Sequence, residues 1–220
     1  MNKKAIIFDM DGVLIDTEDH HKNIEHRIFR ELEVPITEEE RAPFIGMAAN
    51  EMWKKVIDHF HLDKSADDLL DLNNQRILEY FIGMESLEPI PGVTRILDWI
   101  RQNRIPLAVA SSSSLIVIDA LLQKTGLDGY FAHRVGGQSV KKSKPDPSIY
   151  LHTADMLRVQ PANCLVIEDS TNGISAAKAA GMYCVGYRGI GFHRQDQSGA
   201  DVLISDYNEM RPILERFIEM

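Results

Sequence analysis

Short apolar runs recur along this chain, and each ends abruptly in polar or small residues. They occupy residues 5–8, 107–110, 164–167 and 183–186, with a weaker run at 201–204. Runs that are apolar at every position predict strands of a parallel sheet, because helices cover both faces of such a sheet. Between the runs, apolar positions follow helical spacing. Leu115, Ile118, Leu121 and Leu122 share one predicted face, and Ile174, Ala177, Lys178 and Gly181 another. Strand and helix in alternation predict an α/β fold with a doubly wound parallel sheet.

One stretch breaks the alternation. From Thr17 to about Met84 there is no strand pattern. Helical spacing appears in Ile24, Ile28, Phe29 and Leu32, then in Met52, Trp53, Val56, Ile57 and Phe60. It appears again in Leu69, Leu72, Ile77, Tyr80 and Phe81, and Pro35, Pro43 and Gly46 punctuate these segments. The pattern predicts an α-helical cap over residues 16–84, inserted into a core made of residues 1–15 and 85–220. The chain re-enters that core near Pro89-Ile90-Pro91-Gly92.

Composition narrows the function classes. The chain has 220 residues, of which 44% are hydrophobic, enough for a core without disulfide or metal staples. Its 24 basic and 33 acidic residues give a net charge of −9. That balance argues against a nucleic-acid partner and against an anionic membrane surface. Cys164 and Cys184 form no C-x-x-C pair and sit in apolar runs, so they are expected to be buried thiols in a reducing compartment. The apolar run before Asp9 is too short for a signal-peptide core. The stretch 105–122 contains Pro106, four serines and Asp119, so it predicts strand, turn and helix and not a membrane span. The expected location is cytoplasmic, and a monomer is the default.

In open α/β sheets, ligands bind at the carboxyl ends of the strands. The polar residues collected there are Asp9-Met10-Asp11-Gly12, the run Ser111 to Ser114, and Glu168-Asp169-Ser170. Asp9 and Asp11, two apart at a strand end, point to one side, and Gly12 permits a sharp turn after them. On its own such a pair is an ordinary acidic turn. Glu168 and Asp169 at a neighbouring strand end change the picture. Three or four carboxylates together make a hard, oxygen-rich site suited to Mg²⁺. Ser170 reads as the N-cap of the next helix. Among the four serines, the residues alone leave the functional one open; Ser113 or Ser114 serves as an N-cap, and Ser111 could join an anion site. Lys144, between prolines in Ser143-Lys144-Pro145-Asp146-Pro147, could neutralise a phosphoryl oxygen.

With these residues the chain resembles the haloacid dehalogenase superfamily, whose four motifs appear in order as Asp9-x-Asp11-Gly12, Ser111, Lys144 and Glu168-Asp169. It is most similar to the β-phosphoglucomutase-like branch, through Phe8-Asp-Met-Asp-Gly-Val-Leu-Ile-Asp16-Thr17, Ser143 to Pro147, and Glu168-Asp-Ser-x-Asn-Gly173. The resemblance implies a Rossmann-like core with a helical cap, and a Mg²⁺-dependent enzyme acting on a small phosphate ester. Asp9 would attack phosphorus and Asp11 would serve as acid and base. Asp9, the Asp11 carbonyl and Asp169 would hold Mg²⁺, with Glu168 as an outer or water-mediated partner. Ser111, Ser112 and Lys144 would bind the phosphoryl group, and His21 matches the family's cap-hinge histidine.

The branch contains both phosphatases and mutases. A mutase needs a second phosphate site on the cap, which in β-phosphoglucomutase comes from an arginine and a lysine. Those positions fall at Ala49 and near Asn73, so both charges are missing, although Arg76 could substitute. The expectation is therefore a phosphoric monoester hydrolase acting on a sugar phosphate, with the mutase as alternative and a non-catalytic binding module as the alternative of another class. Dehalogenation and phosphonate hydrolysis are disfavoured because Asp11 is present. Gly189-Ile-Gly191 lacks the third glycine of a dinucleotide fingerprint. His59 and His61 do not share a helix face. Glu38-Glu39-Glu40 is expected to start a helix in solvent, and Trp53 and Trp99 are expected in the core.

Overall fold

The structure, a computed structural model, describes residues 3–41, 49–189 and 195–220. Six strands form one fully parallel sheet: β1 (Ala5–Phe8), β2 (Leu107–Ala110), β3 (His133–Val135), β4 (Cys164–Glu168), β5 (Tyr183–Tyr187) and β6 (Val202–Ile204). Their spatial order is β3-β2-β1-β4-β5-β6. Chain order reverses at β1, so the ends of β2, β1 and β4 flank the switch point where such sheets bind ligands.

The five apolar runs of the sequence are all strands. The edge strand β3 is the addition. Its residues His133, Arg134 and Val135 carry no continuous apolar run, because an edge strand is covered less on both sides.

Side chains along β1 alternate between two cores. Ile6 and Phe8 enter one cluster, and Ala5 and Ile7 the other. Helices α7 (Ser148–Leu157) and α8 (Thr171–Ala179) supply the second cluster through Tyr150, Leu157, Ile174 and Ala177. The first is supplied by α5 (Val93–Gln102), α6 (Leu115–Lys124) and α9 (Met210–Glu219). Two expected helix faces are adjusted. Leu115 is partly exposed at the start of α6. On α8 the buried face includes Gly173 and Ala176, while Lys178 turns outward to pair with Asp201 at 2.6 Å and Gly181 lies beyond the helix end.

Between β1 and α5 come four helices: α1 (Glu18–Glu31), α2 (Glu38–Arg41), α3 (Ala49–Phe60) and α4 (Ala66–Gly83). Ser65 and Asp68 close a reciprocal capping box on α4, which satisfies two otherwise unpaired amides. Helix α4 packs on α1 and α3, and on α6 of the core. The Lys124 ammonium reaches across from α6 to the Met84 carbonyl at 2.6 Å, at the negative end of α4. The two chain crossings run side by side, with the Ile90 amide donating to the Leu14 carbonyl at 2.9 Å. Pro43 and Gly46 lie outside the described residues. No helix among the described residues is long and apolar enough to cross a membrane.

The apolar interior of these helices is continuous with one face of the sheet: Phe29, Trp53, Ile77 and Phe81 belong to the same cluster as Ile6 and Phe8. Trp53 is fully buried and its ring lies 5.5 Å from that of Phe29. Trp99 is partly buried against this cluster. Both cysteines are buried free thiols, and burial pushes the Cys164 thiol up to about 11. Truncation of Trp53→Ala should cost about 3–5 kcal/mol, through lost burial and the cavity left behind. In urea unfolding the midpoint falls while the slope is kept; a cost below about 1 kcal/mol would show that α3 is not part of the cooperative core.

Candidate active site

Three neighbouring strand ends deliver the charged residues. Asp9 follows β1, and its amide donates to the Ile167 carbonyl of β4 at 3.0 Å. Glu168 is the last residue of β4, and Ser111 follows β2. Gly12 has φ +73, a backbone conformation that favours glycine, and a Cβ there would stand 2.2 Å from Asp169 Oδ2. The Asp169 carboxylate therefore rests against the turn that carries Asp9 and Asp11.

Lys144 enters from the loop before α7 and is buried. Its ammonium donates to Asp9 Oδ1 at 2.5 Å, to Glu168 Oε1 at 2.6 Å and to the Ala110 carbonyl at 3.2 Å. The buried Tyr150 hydroxyl donates to Glu168 Oε1 at 2.8 Å. Glu168 Oε2 accepts from the amides of Asp169 and Ser170 and from the Ser170 hydroxyl, each at 3.0 Å. Gly173 makes room for this carboxylate, since a Cβ would stand 1.7 Å from Glu168 Oε1. Ser170 also caps α8 by accepting from the Gly173 amide. Both oxygens of Glu168 are thus engaged, Oε1 by Lys144 and Tyr150 and Oε2 at the start of α8.

Asp11 sits in a different environment. Its Oδ1 accepts from Thr17 at 2.6 Å and contacts His21 Nε2 at 3.0 Å; its Oδ2 accepts from Ser111 at 3.2 Å and Ser113 at 3.1 Å. Burial acts to raise its pKa, but the bonds from His21, Thr17 and Ser113 outweigh this and hold it at about 2. Asp9 is the opposite case. Burial, joined by the charges of Glu168 and Asp11 and opposed by Lys144, pushes it up to about 8. Asp169 is raised well above the usual carboxylate range by burial and by Glu168 and Asp9. Lys144 is held above its ordinary value by Asp9 and Glu168, against the effect of burial.

The serine run divides its work. Ser111, buried, accepts from the Ser113 amide at 3.0 Å while donating to Asp11. Ser112 is exposed at the pocket wall. Ser114 occupies the N-cap position of α6 without a side-chain cap bond, because its hydroxyl donates instead to Asn74 Oδ1 at 3.0 Å. The Leu115 amide at the helix start is taken by Gln138 Oε1 at 3.2 Å.

These groups line a pocket of about 240 Å³ between the sheet and the inserted helices. Asp9, Asp11, His21, Ser111, Ser112, Lys144, Glu168 and Asp169, the site residues expected from the sequence, all lie on its wall. Sequence reasoning missed Thr17 and Ser113 as partners of Asp11, and Tyr150 as a partner of Glu168. Thr17 and Ser113 lay inside quoted motifs; Tyr150 had no local signal. Arg76, the possible cap cation, turns away: its guanidinium donates to Glu31 and Glu79, each at 2.8 Å. His59 lies 3.9 Å from Glu40, and α2 starts at Glu38 as expected. Gly46, Met47 and Ala48 beside Ala49, and Ile190 and Gly191 of the late glycine pair, lie outside the described residues.

The donor set suits a divalent cation. Among the described residues, no carboxylate hydrogen bond is made by Asp169, and Asp9 Oδ2 and the Asp11 carbonyl accept none. No three His, Cys, Asp or Glu side chains among the described residues converge as a ligand set. Two carboxylates and one carbonyl would leave the remaining positions to water and substrate oxygen, the habit of Mg²⁺. The four carboxylates share one ammonium and one histidine, so the site is short of positive charge.

Residues 6–187 match the family model described as haloacid dehalogenase-like hydrolase. A phosphorylated carbohydrates phosphatase of Thermotoga maritima is 34% identical over 179 residues, 81% of this chain and 82% of that protein. The β-phosphoglucomutase of Bacillus subtilis is 30% identical over 215 residues, 94% of this chain and 91% of that one. Among solved structures, a mutant of CbbY from Rhodobacter sphaeroides in complex with xylulose-1,5-bisphosphate is similar at a TM-score of 0.85 with 27% identity, covering 94% of this chain and 96% of that one.

Replacing Lys144→Met leaves Asp9 and Glu168 buried without their shared cation. The expected cost is about 3–5 kcal/mol at pH 8. It should be smaller at pH 5: without the ammonium both carboxyls have raised folded-state pKa values, so the variant loses stability as pH rises through them. Urea titrations at the two pH values check this, and an equal cost at both would contradict the placement.

Proposed function

This chain belongs to the haloacid dehalogenase-like hydrolase family, in its β-phosphoglucomutase-like branch, and is a phosphatase; we propose that it hydrolyses sugar phosphates with Mg²⁺ through a phospho-aspartate on Asp9. The observation that carries the reading is the fixed geometry of Asp9. One oxygen is held by Lys144, and the other accepts no hydrogen bond from a described residue. A carboxylate so oriented can attack along one direction, which lowers the entropic part of the barrier.

The Asp9 carboxylate forms a bond to phosphorus as the ester P–O bond breaks, and Asp11, protonated once phosphoryl charge lies beside it, gives that proton to the departing oxygen. Water then attacks the acyl phosphate, its proton returns to Asp11, and Asp9 is released with inorganic phosphate. Lys144 and the Ser111 hydroxyl would bind phosphoryl oxygens by exchanging present partners, the Ala110 carbonyl and Asp11. Mg²⁺ held by Asp9, Asp169 and the Asp11 carbonyl would supply positive charge for those oxygens. His21 and Thr17 orient Asp11 from the insertion side of the pocket.

Support for a sugar-phosphate substrate comes from the relatives: the Thermotoga maritima protein is named for phosphorylated carbohydrates and the Bacillus subtilis protein for phosphoglucose. The mutase reading needs a second phosphate site. Among the described pocket residues, the inserted helices contribute no lysine or arginine. Appreciable conversion of β-glucose 1-phosphate to glucose 6-phosphate, dependent on a bisphosphate primer, would reverse this preference.

Replacing Asp9→Asn should lower Mg²⁺-supported turnover of p-nitrophenyl phosphate by at least about 10³-fold, and chelation of the metal should abolish it. Retained turnover in the variant would rule out Asp9 as nucleophile. Mg²⁺ should also raise the melting temperature more at pH 8 than at pH 5. With a folded-state pKa of about 8, Asp9 is ionised only toward the upper pH, and at pH 5 a proton must first be displaced. A shift independent of pH would remove Asp9 from the metal site.

A further inference from the structure

Asn73 lies in the middle of α4, facing the strand ends. It is 6% exposed and lines the pocket, yet its carboxamide makes no hydrogen bond with a described residue. The carboxamide opens on the pocket, where a substrate group can pair with it.

Its surroundings define what that group is. Asn50 and Asn74 line the same pocket. The Oδ1 of Asn50 accepts from the Glu51 amide at 2.8 Å, and that of Asn74 from Ser114 at 3.0 Å. Their acceptors are in use, and their amide donors make no hydrogen bond with a described residue. Met52, Leu70 and Ile77 fill the apolar part of this wall, and Glu25 is its charged member.

We infer that Asn73 is a specificity-determining residue that reads a hydroxyl-rich leaving group. The inference rests on the phosphatase reading above and deepens it. A carboxamide both donates and accepts, as a pair of neighbouring hydroxyls requires. A site built to hydrogen-bond a hydroxyl discriminates strongly against a ligand that lacks it, because its own polar group is then left unpaired.

The test compares kcat/KM of the wild type, Asn73→Leu and Asn73→Ser on a hexose monophosphate and p-nitrophenyl phosphate, with Mg²⁺. Asn73→Leu should lose about tenfold or more on the hexose monophosphate and stay within about threefold on p-nitrophenyl phosphate, which offers no hydroxyl. Asn73→Ser, smaller and still polar, should recover part of the loss, and it replaces the leucine variant if that one fails to fold. An equal loss on both monoesters, or no loss on either, overturns the role of Asn73 while leaving the phosphatase intact. A wild type that turns over neither overturns the phosphatase reading, and this inference with it.

Discussion

The ammonium of Lys144 is wedged between Asp9 and Glu168, 2.5 and 2.6 Å from their oxygens, with all three groups buried. Burying a lysine or a carboxylate alone is strongly unfavourable, so each of these side chains is tolerable there only because of the others. Much of the local architecture serves this contact. Tyr150 and the Ser170 hydroxyl fill the remaining lone pairs of Glu168, the start of α8 donates two amides to it, and Gly173 gives up its side chain to let it in. The result is a carboxylate, Asp9, with one oxygen tied down and the other clear of described partners.

The sheet provides what no local segment could. Asp9, Ser111 and Glu168 are far apart in the chain, yet β1 lies between β2 and β4, so their carboxyl ends form one row. The inserted helices form the opposite wall and share an apolar cluster with one face of the sheet. Polar contacts also cross the boundary, from Ser114 to Asn74 and from His21 to Asp11. Substrate would thus be enclosed by two surfaces whose relative position is set partly by apolar packing and partly by groups belonging to the site.

What could be read from the residues follows from where the constraints are local. The central strands were visible because burial on both faces demands unbroken apolar runs, and the insertion because helical spacing replaced them. The edge strand His133–Val135 escaped because partial cover imposes no such run. Asp9, Lys144 and Asp169 stood at strand ends or in a stiffened loop. The division of the four serines could not be read, since it depends on Asp11 approaching from β1 and Asn74 from α4. Asn73 was noticed only as a missing charge; its place on the pocket wall is a property of the packed helix. Tyr150 looked like one more apolar helix residue until Glu168 was placed beside its hydroxyl.

The two aspartates of the Asp9-x-Asp11 pair illustrate how little the motif says by itself. With the protein's own groups alone, the outer carboxylate is held at about 2 and the inner one at about 8, which puts the proton on the nucleophile and leaves the acid ionised. Neither value suits a reaction in which Asp9 attacks and Asp11 donates. In the proposed mechanism, charge brought from outside would correct both. Positive charge against Asp9 and Asp169 favours their ionised forms, and a phosphoryl dianion arriving beside Asp11 favours its protonated form, each by opposite-charge or like-charge interaction at short range. The sequence motif therefore sets two carboxylates in place, burial of Asp9 and the hydrogen bonds to Asp11 separate their affinities for protons, and the occupants of the pocket would determine which of them holds the proton.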